Sequence, residues 1–129
     1  METNASKPHV LIVDDNLELA ATFKELLDAH GFDAMVASNG VLALKLILHD
    51  TVDAVICDLK MPQLEGDMFF TAVQRLNPAL ARRFIFITGM ADDPHFQKFV
   101  ANVKAPLLRK PVPLEKLLET LNGVLQKHP

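Results

Sequence analysis

Five polar residues carry groups that could act together on one substrate: Asp14, Asp15, Asp58, Thr88 and Lys110. Carboxylates held close repel one another, and one pair about 4 Å apart costs roughly 4 kcal/mol at an effective dielectric near 20. Such a cluster persists when a divalent cation neutralises it, and an oxygen-only donor set suits Mg²⁺. A carboxylate beside Mg²⁺, with a hydroxyl and an ammonium nearby, is a receptacle for a phosphoryl group. Metal and lysine would compensate charge on the equatorial oxygens, the threonine would donate a hydrogen bond, and a carboxylate would attack phosphorus in line. Asp58 stands alone and is the better nucleophile; the adjacent pair Asp14-Asp15 is suited to holding metal.

These residues are spread over almost a hundred positions, so only the fold can bring them together. Short apolar runs at residues 10–13, 32–37, 54–57, 84–87 and 106–108 read as strands, the first without polar alternation, as expected for a strand buried on both faces. Between them lie segments of helical period, at about 17–29, 41–49, 67–76, 94–103 and 113–126. Asn16, Ser38-Asn39 and Asp93-Pro94 mark helix starts, and Gly31 suits the left-handed position past a helix end. Apolar stripes assign Leu19, Phe23, Leu26 and Leu27, then Phe69, Phe70, Val73 and Leu76, then Phe96, Phe99 and Val100 to the core. Five strand–helix units predict an α/β, doubly wound parallel sheet with helices on both faces, because crossovers are right-handed. Ligands bind such sheets at the strands' carboxyl ends. Asp14-Asp15, Asp58, Thr88 and Lys110 each follow a strand and so converge on that edge.

Composition narrows the choices. At 129 residues the chain is one domain, large enough to bury a core without staples. A net charge of −3 argues against direct nucleic-acid binding through a basic surface. The single cysteine, Cys57, excludes an internal disulfide and reads as a small core residue. No apolar run approaches a membrane span, and the polar first eight residues lack a secretory signal's apolar region, so a cytoplasmic location is expected.

The motifs at the strand ends resemble those of the receiver domains of two-component response regulators. The carriers are Val13-Asp14-Asp15, the run Asp58-Leu59-Lys60-Met61-Pro62 with Gly66 following, Ile87-Thr88-Gly89, and Lys110-Pro111. The resemblance implies a flavodoxin-like (βα)5 sheet in strand order 2-1-3-4-5, with residues 9–127 as the receiver domain and 1–8 as an N-terminal extension. It implies a phosphoacceptor at Asp58, taking its phosphoryl group from the phosphohistidine of a histidine kinase or phosphotransfer domain. Asp15, Asp58 and the Lys60 backbone carbonyl match the family's Mg²⁺ ligands, with Asp14 acting through water. Thr88 matches the hydroxyl that reorients onto the phosphoryl group, and Lys110 the lysine that pairs with it, followed by a peptide usually cis in the family. Such a domain is a signalling module that catalyses only its own phosphorylation and dephosphorylation. Switching it from 1:99 to 99:1 requires about 5.5 kcal/mol of differential stabilisation.

Some positions depart from the family pattern. Leu107 stands where the family places a switching tyrosine or phenylalanine, three residues before the lysine. Lys60 and Met90 occupy the two positions that line the approach of attacking water in the family. The stretch at 105–111, with Ile87-Thr88-Gly89, is most similar to receivers attached to hybrid histidine kinases. Alternatives of other classes are a phosphorylation-independent pseudo-receiver acting as an interaction module, and a phosphohydrolase working through an aspartyl phosphate. The second usually needs an acid two residues after its nucleophile, where this chain has Lys60. The second helix carries Val41, Leu42, Leu44, Leu46, Ile47 and Leu48 around Lys45, more apolar surface than one buried stripe uses. That breadth, or the last helices, could serve a homodimer or a partner domain.

Overall fold

In a computed structural model, residues 7–61, 64–89 and 93–127 are described. The strands are β1 (His9–Val13), β2 (Asp33–Ala37), β3 (Ala54–Asp58), β4 (Phe84–Thr88) and β5 (Leu107–Arg109), all parallel in the order β2-β1-β3-β4-β5. Between and after them run α1 (Leu17–Ala29), α2 (Gly40–His49), α3 (Gly66–Leu76), α4 (Pro78–Ala81), α5 (Pro94–Val103) and α6 (Leu114–Lys127). Unbroken apolar runs occupy the middle of the sheet: every residue of β3 and β4 is buried, because helices cover both faces. One core layer joins Leu11, Val55, Phe69, Phe84 and Phe86 beneath α2, α3 and α5; the other joins Ile12, Ile56, Phe23, Leu117 and Leu121 beneath α1 and α6. No helix among the described residues is long and apolar enough to cross a membrane.

The expected helix starts are present. The side chains of Asn16, Asn39 and Asp93 accept from backbone N–H groups of Leu19, Leu42 and His95, satisfying first-turn donors. Gly31 takes φ 91°, a left-handed turn after α1. Two expectations need correction. Leu76 was assigned to the core but is 56% exposed, because it is the last residue of α3 and the chain turns away at Asn77. A short helix, α4, follows directly: Asn77 caps Leu80 N–H, Pro78 fits its first turn, and Leu80 fills the core space. Its four residues are too few to show a helical period.

The β2 edge of the sheet is partly closed by α1. Lys24 Nζ donates to Asp28 Oδ2 and to Ala34 O, both at 2.8 Å, and Ala34 N–H donates to Asp28 Oδ1 at 3.0 Å. The adjacent Asp33 N–H is directed at β1, to Pro8 O, so in a parallel ladder the groups of Ala34 point to the open side. One ion pair on α1 therefore satisfies both of them, which blunts an otherwise pairing-competent edge. The same two contacts hold the Asp28 carboxyl below its usual value, Lys24 contributing most and Ala34 next.

Candidate phosphoacceptor site

The strand order builds the site. Asp14 follows β1, Asp58 ends β3, Thr88 ends β4 and Lys110 follows β5, and these four strands are neighbours in that sequence. Their carboxyl ends set the side chains along one edge, with Asp14 and Asp58 at the ends of β1 and β3, the neighbouring strands between which the strand order reverses. Asp14 and Thr88 are fully buried and Asp58 is 4% exposed, whereas Asp15 is exposed.

Lys110 reaches across the gap. Its Nζ donates to Asp58 Oδ2 at 3.0 Å and lies 3.2 Å from Asp14 Oδ2. Asp58 Oδ1 accepts from Lys60 N–H at 3.1 Å, and Asp14 Oδ1 from Asn16 N–H at 2.9 Å. Burial raises the Asp58 pKa above the ordinary carboxylate value; the Lys110 hydrogen bond opposes that rise and the Asp14 charge adds to it. Burial pulls Lys110 down, but the carboxylates of Asp58 and Asp14 outweigh it and hold the ammonium above its usual value. Lys110 Nζ thus compensates two buried anions at once. The Lys110–Pro111 peptide is cis, and Lys110 N–H donates to Thr88 O at 2.9 Å, tying the lysine's backbone to the end of β4.

The acidic set fits a hard cation. One oxygen from each of Asp14, Asp15 and Asp58 lies within 4.8 Å of the others. Asp14 Oδ2 is buried and, despite the nearby Lys110 charge, accepts no hydrogen bond. Three carboxylates against one ammonium leave negative charge at this edge, which a divalent cation bound by oxygen ligands would offset.

The loop behind Asp58 is held closely. Gly66 N–H donates to Leu59 O at 3.0 Å, and a Cβ at Gly66 would lie 2.8 Å from Asp58 O and 2.9 Å from Leu59 Cα. Only glycine allows α3 to start this near the backbone of Asp58 and Leu59. Lys60 turns its side chain outward to Glu65 Oε2 at 3.1 Å, 60% exposed. Pro62 and Met90, singled out in the sequence, lie outside the described residues. Cys57 is fully buried, and burial together with the neighbouring Asp58 and Asp14 charges raises its thiol well above the usual value, as suits an inert core residue.

Two features were not read from the sequence. His95 Nε2 and Asp67 Oδ2 meet at 2.7 Å, joining the first turns of α3 and α5 beside the site. Leu107 pairs with Phe86 across β4–β5, and the ring contact there comes from α5 instead: Phe99 packs on Phe86 at 5.4 Å and on Phe70 at 5.6 Å, both edge-to-face. Helical spacing placed Phe99 inward but could not show which strand residue it would meet.

The chain is thus a doubly wound parallel α/β domain with buried aspartates, a bridging lysine and a buried threonine along its carboxyl edge. Comparison with known proteins gives the family. Residues 10–122 match the model of the response regulator receiver domain. The chain belongs to that family and is a receiver domain of two-component signal transduction. Among curated relatives, the sensor kinase CckA of Brucella abortus is 30% identical over 92% of this chain, which spans 12% of that protein. The transcriptional regulatory protein PrrA of Mycobacterium tuberculosis is 28% identical over 98% of this chain, which spans 54% of it. A CheY-like receiver domain protein from Methanospirillum hungatei superposes with TM-score 0.87 at 27% identity, covering 95% of this chain and 97% of that one. A receiver protein from Pseudomonas putida gives TM-score 0.84 at 28% identity, covering 93% and 99%.

Proposed function

We propose that Asp58 is the residue that takes the phosphoryl group, with Lys110 and Thr88 as its partners and Asp14, Asp15, Asp58 and the Lys60 carbonyl as the holders of Mg²⁺. The observation that carries this reading is the single ammonium of Lys110 set between Asp58 and Asp14. Asp58 supplies an oxygen to phosphorus as the phosphorus–nitrogen bond of a donor phosphohistidine breaks, giving an acyl phosphate and free imidazole. Lys110, already within 3.0 Å of Asp58 Oδ2, stays charged through the reaction and pairs with the incoming oxygens. The Lys60 N–H on Asp58 Oδ1 fixes the carboxylate's orientation. Thr88, buried at the end of β4, supplies the hydroxyl that reads the new charge. When bound, Mg²⁺ supplies charge neutralisation for the phosphoryl oxygens.

The working partner is then a histidine kinase or phosphotransfer domain, and the place of action is the cytoplasm. Residues 9–127 form the receiver unit and residues 1–8 an extension of it. The sensor-kinase relative and the chain's 105–111 stretch support a place beside a hybrid kinase. Incubation with a phosphohistidine-bearing phosphotransfer domain and Mg²⁺ should add one phosphoryl group by intact mass. Asp58→Asn should add none while keeping its fold; an undiminished adduct in that variant would reassign the acceptor.

A further inference from the structure

The two carboxylates that follow β1 are held by unequal means. The Asp14 backbone is fixed from the sheet, where its N–H donates to Ala37 O at 3.1 Å and continues the β1–β2 ladder. Its side chain is fixed from the other direction: Oδ1 accepts from Asn16 N–H at 2.9 Å, while Oδ2 lies 3.2 Å from Lys110 Nζ. Asp15 is exposed and enters no ion pair among the described residues, so its direction follows from the backbone on either side of it. Both carboxylates therefore depend on where the Asn16 peptide lies, and α1 sets that. Asn16 O accepts from Ala20 N–H at 3.0 Å, and Asn16 Oδ1 accepts from Leu19 N–H at 3.1 Å. One residue thus joins site to helix through three groups: its N–H toward Asp14, its carbonyl and side-chain oxygens toward α1.

We infer that the Asn16 side chain is a positioning group for the cation site: by capping α1 it fixes the N–H that orients Asp14 and the backbone that carries Asp15. The inference rests on the reading of Asp14, Asp15 and Asp58 as holders of Mg²⁺. That ion tolerates little departure from octahedral geometry, so its affinity responds to small displacements of the groups around it. One oxygen from each of the three carboxylates lies within 4.8 Å of the others, an arrangement that needs the β1–α1 turn held still. Without the cap, Leu19 N–H turns to water, the first turn of α1 frays, and the Asn16 peptide is free to rotate away from Asp14. Groups that orient metal-holding side chains commonly change affinity by about 10–100-fold, and one acting through a single peptide belongs at the lower end. The Asn16 amide is uncharged, so its removal leaves the charge of the site as it was.

Calorimetric titration with magnesium chloride tests this. Asn16→Ala should weaken Mg²⁺ binding roughly tenfold. Asn16→Gly, which keeps most of the stability but has no side-chain oxygen, should weaken it as much. Asn16→Ser restores the acceptor and should return the affinity to within about twofold of wild type. Asn77→Ala is the control. Asn77 accepts from Leu80 N–H at 3.1 Å in the same manner, but it lies between the end of α3 and the start of β4, at the opposite edge of the sheet. Its loss should lower the melting point by roughly 3–6 °C, as Asn16→Ala does, and leave Mg²⁺ affinity unchanged. Circular dichroism verifies the fold of each variant. Wild-type affinity in both Asn16→Ala and Asn16→Gly overturns the inference, as does an equal loss in Asn77→Ala or no recovery in Asn16→Ser. A wild-type protein that binds no Mg²⁺ overturns the cation site itself, and the inference with it.

Discussion

Lys110→Met should destabilise the fold, because it removes the ammonium that faces two buried carboxylates. The gross attraction of a single pair at 3.0 Å is about 5 kcal/mol at an effective dielectric of 20, largely offset by the desolvation of both partners. Removing one partner of a buried pair typically costs about 3–5 kcal/mol. The Lys110 side chain is 23% exposed, which lets water screen part of this and brings the expectation to about 2–3 kcal/mol. For a chain of this length that is a melting-point drop of roughly 6–12 °C in the absence of divalent cations. The loss should depend on pH with a definite sign. Asp58 already has a folded-state pKa above its unfolded value, so its ionisation subtracts stability as pH rises. Without the Lys110 hydrogen bond that pKa climbs further, so the deficit of the variant should grow as pH rises from the unfolded carboxylate value near 4 toward neutrality. Adding Asp14→Asn should recover much of it by removing the second uncompensated charge. Thermal melts of the wild type, the Lys110→Met and Asp14→Asn variants and the double variant across that range provide the assay. A deficit independent of pH, or one untouched by Asp14→Asn, would refute the reasoning.

Three further outcomes follow from single observations. Mg²⁺ should raise the melting point, each tenfold increase above the dissociation constant adding about 1.4 kcal/mol, and Asp14→Asn should largely abolish the effect in a calorimetric titration. Gly66→Ala should destabilise by about 1–2 kcal/mol despite the better helix propensity of alanine, since its Cβ meets Asp58 O and Leu59 Cα; denaturant melts, with phosphorylation rate as a second readout, measure this. Asp28→Asn should remove part of the acid dependence of stability. The folded pKa of Asp28 is depressed, so its contribution is present above the unfolded value near 4 and is lost as pH falls through the lower folded value. A variant whose acid unfolding profile matches the wild type would remove the Lys24–Asp28 clasp from that role.

The strand ends made the site legible. Asp14, Asp58, Thr88 and Lys110 each come at the end of an apolar run that reads as a strand, and a parallel sheet has one carboxyl edge. Strand identity thus implied convergence, though not the contacts. Periodicity could not show that Lys110 would bridge both Asp14 and Asp58, nor that Asp14 Oδ2 would lack a hydrogen bond. The α1 clasp on Ala34 was hidden for a similar reason: Lys24 and Asp28 read as an ordinary i,i+4 surface pair until β2 was placed beside them. Leu76 misled because an apolar residue at helical spacing still faces solvent when the helix ends before the sheet does. At the aromatic position, Leu107 signalled an absence, while the ring that packs there, Phe99, comes from a helix earlier in the chain.

The most direct measurement is chemical location of the phosphoryl group. After reaction with a small acyl phosphate donor and Mg²⁺, borohydride reduces an aspartyl phosphate to homoserine, which peptide mass spectrometry assigns to a position. Homoserine at residue 58 alone, dependent on Mg²⁺, is the result expected. Reduction at Asp14 or Asp15, or a phosphoryl group elsewhere with Asp58 intact, would contradict it.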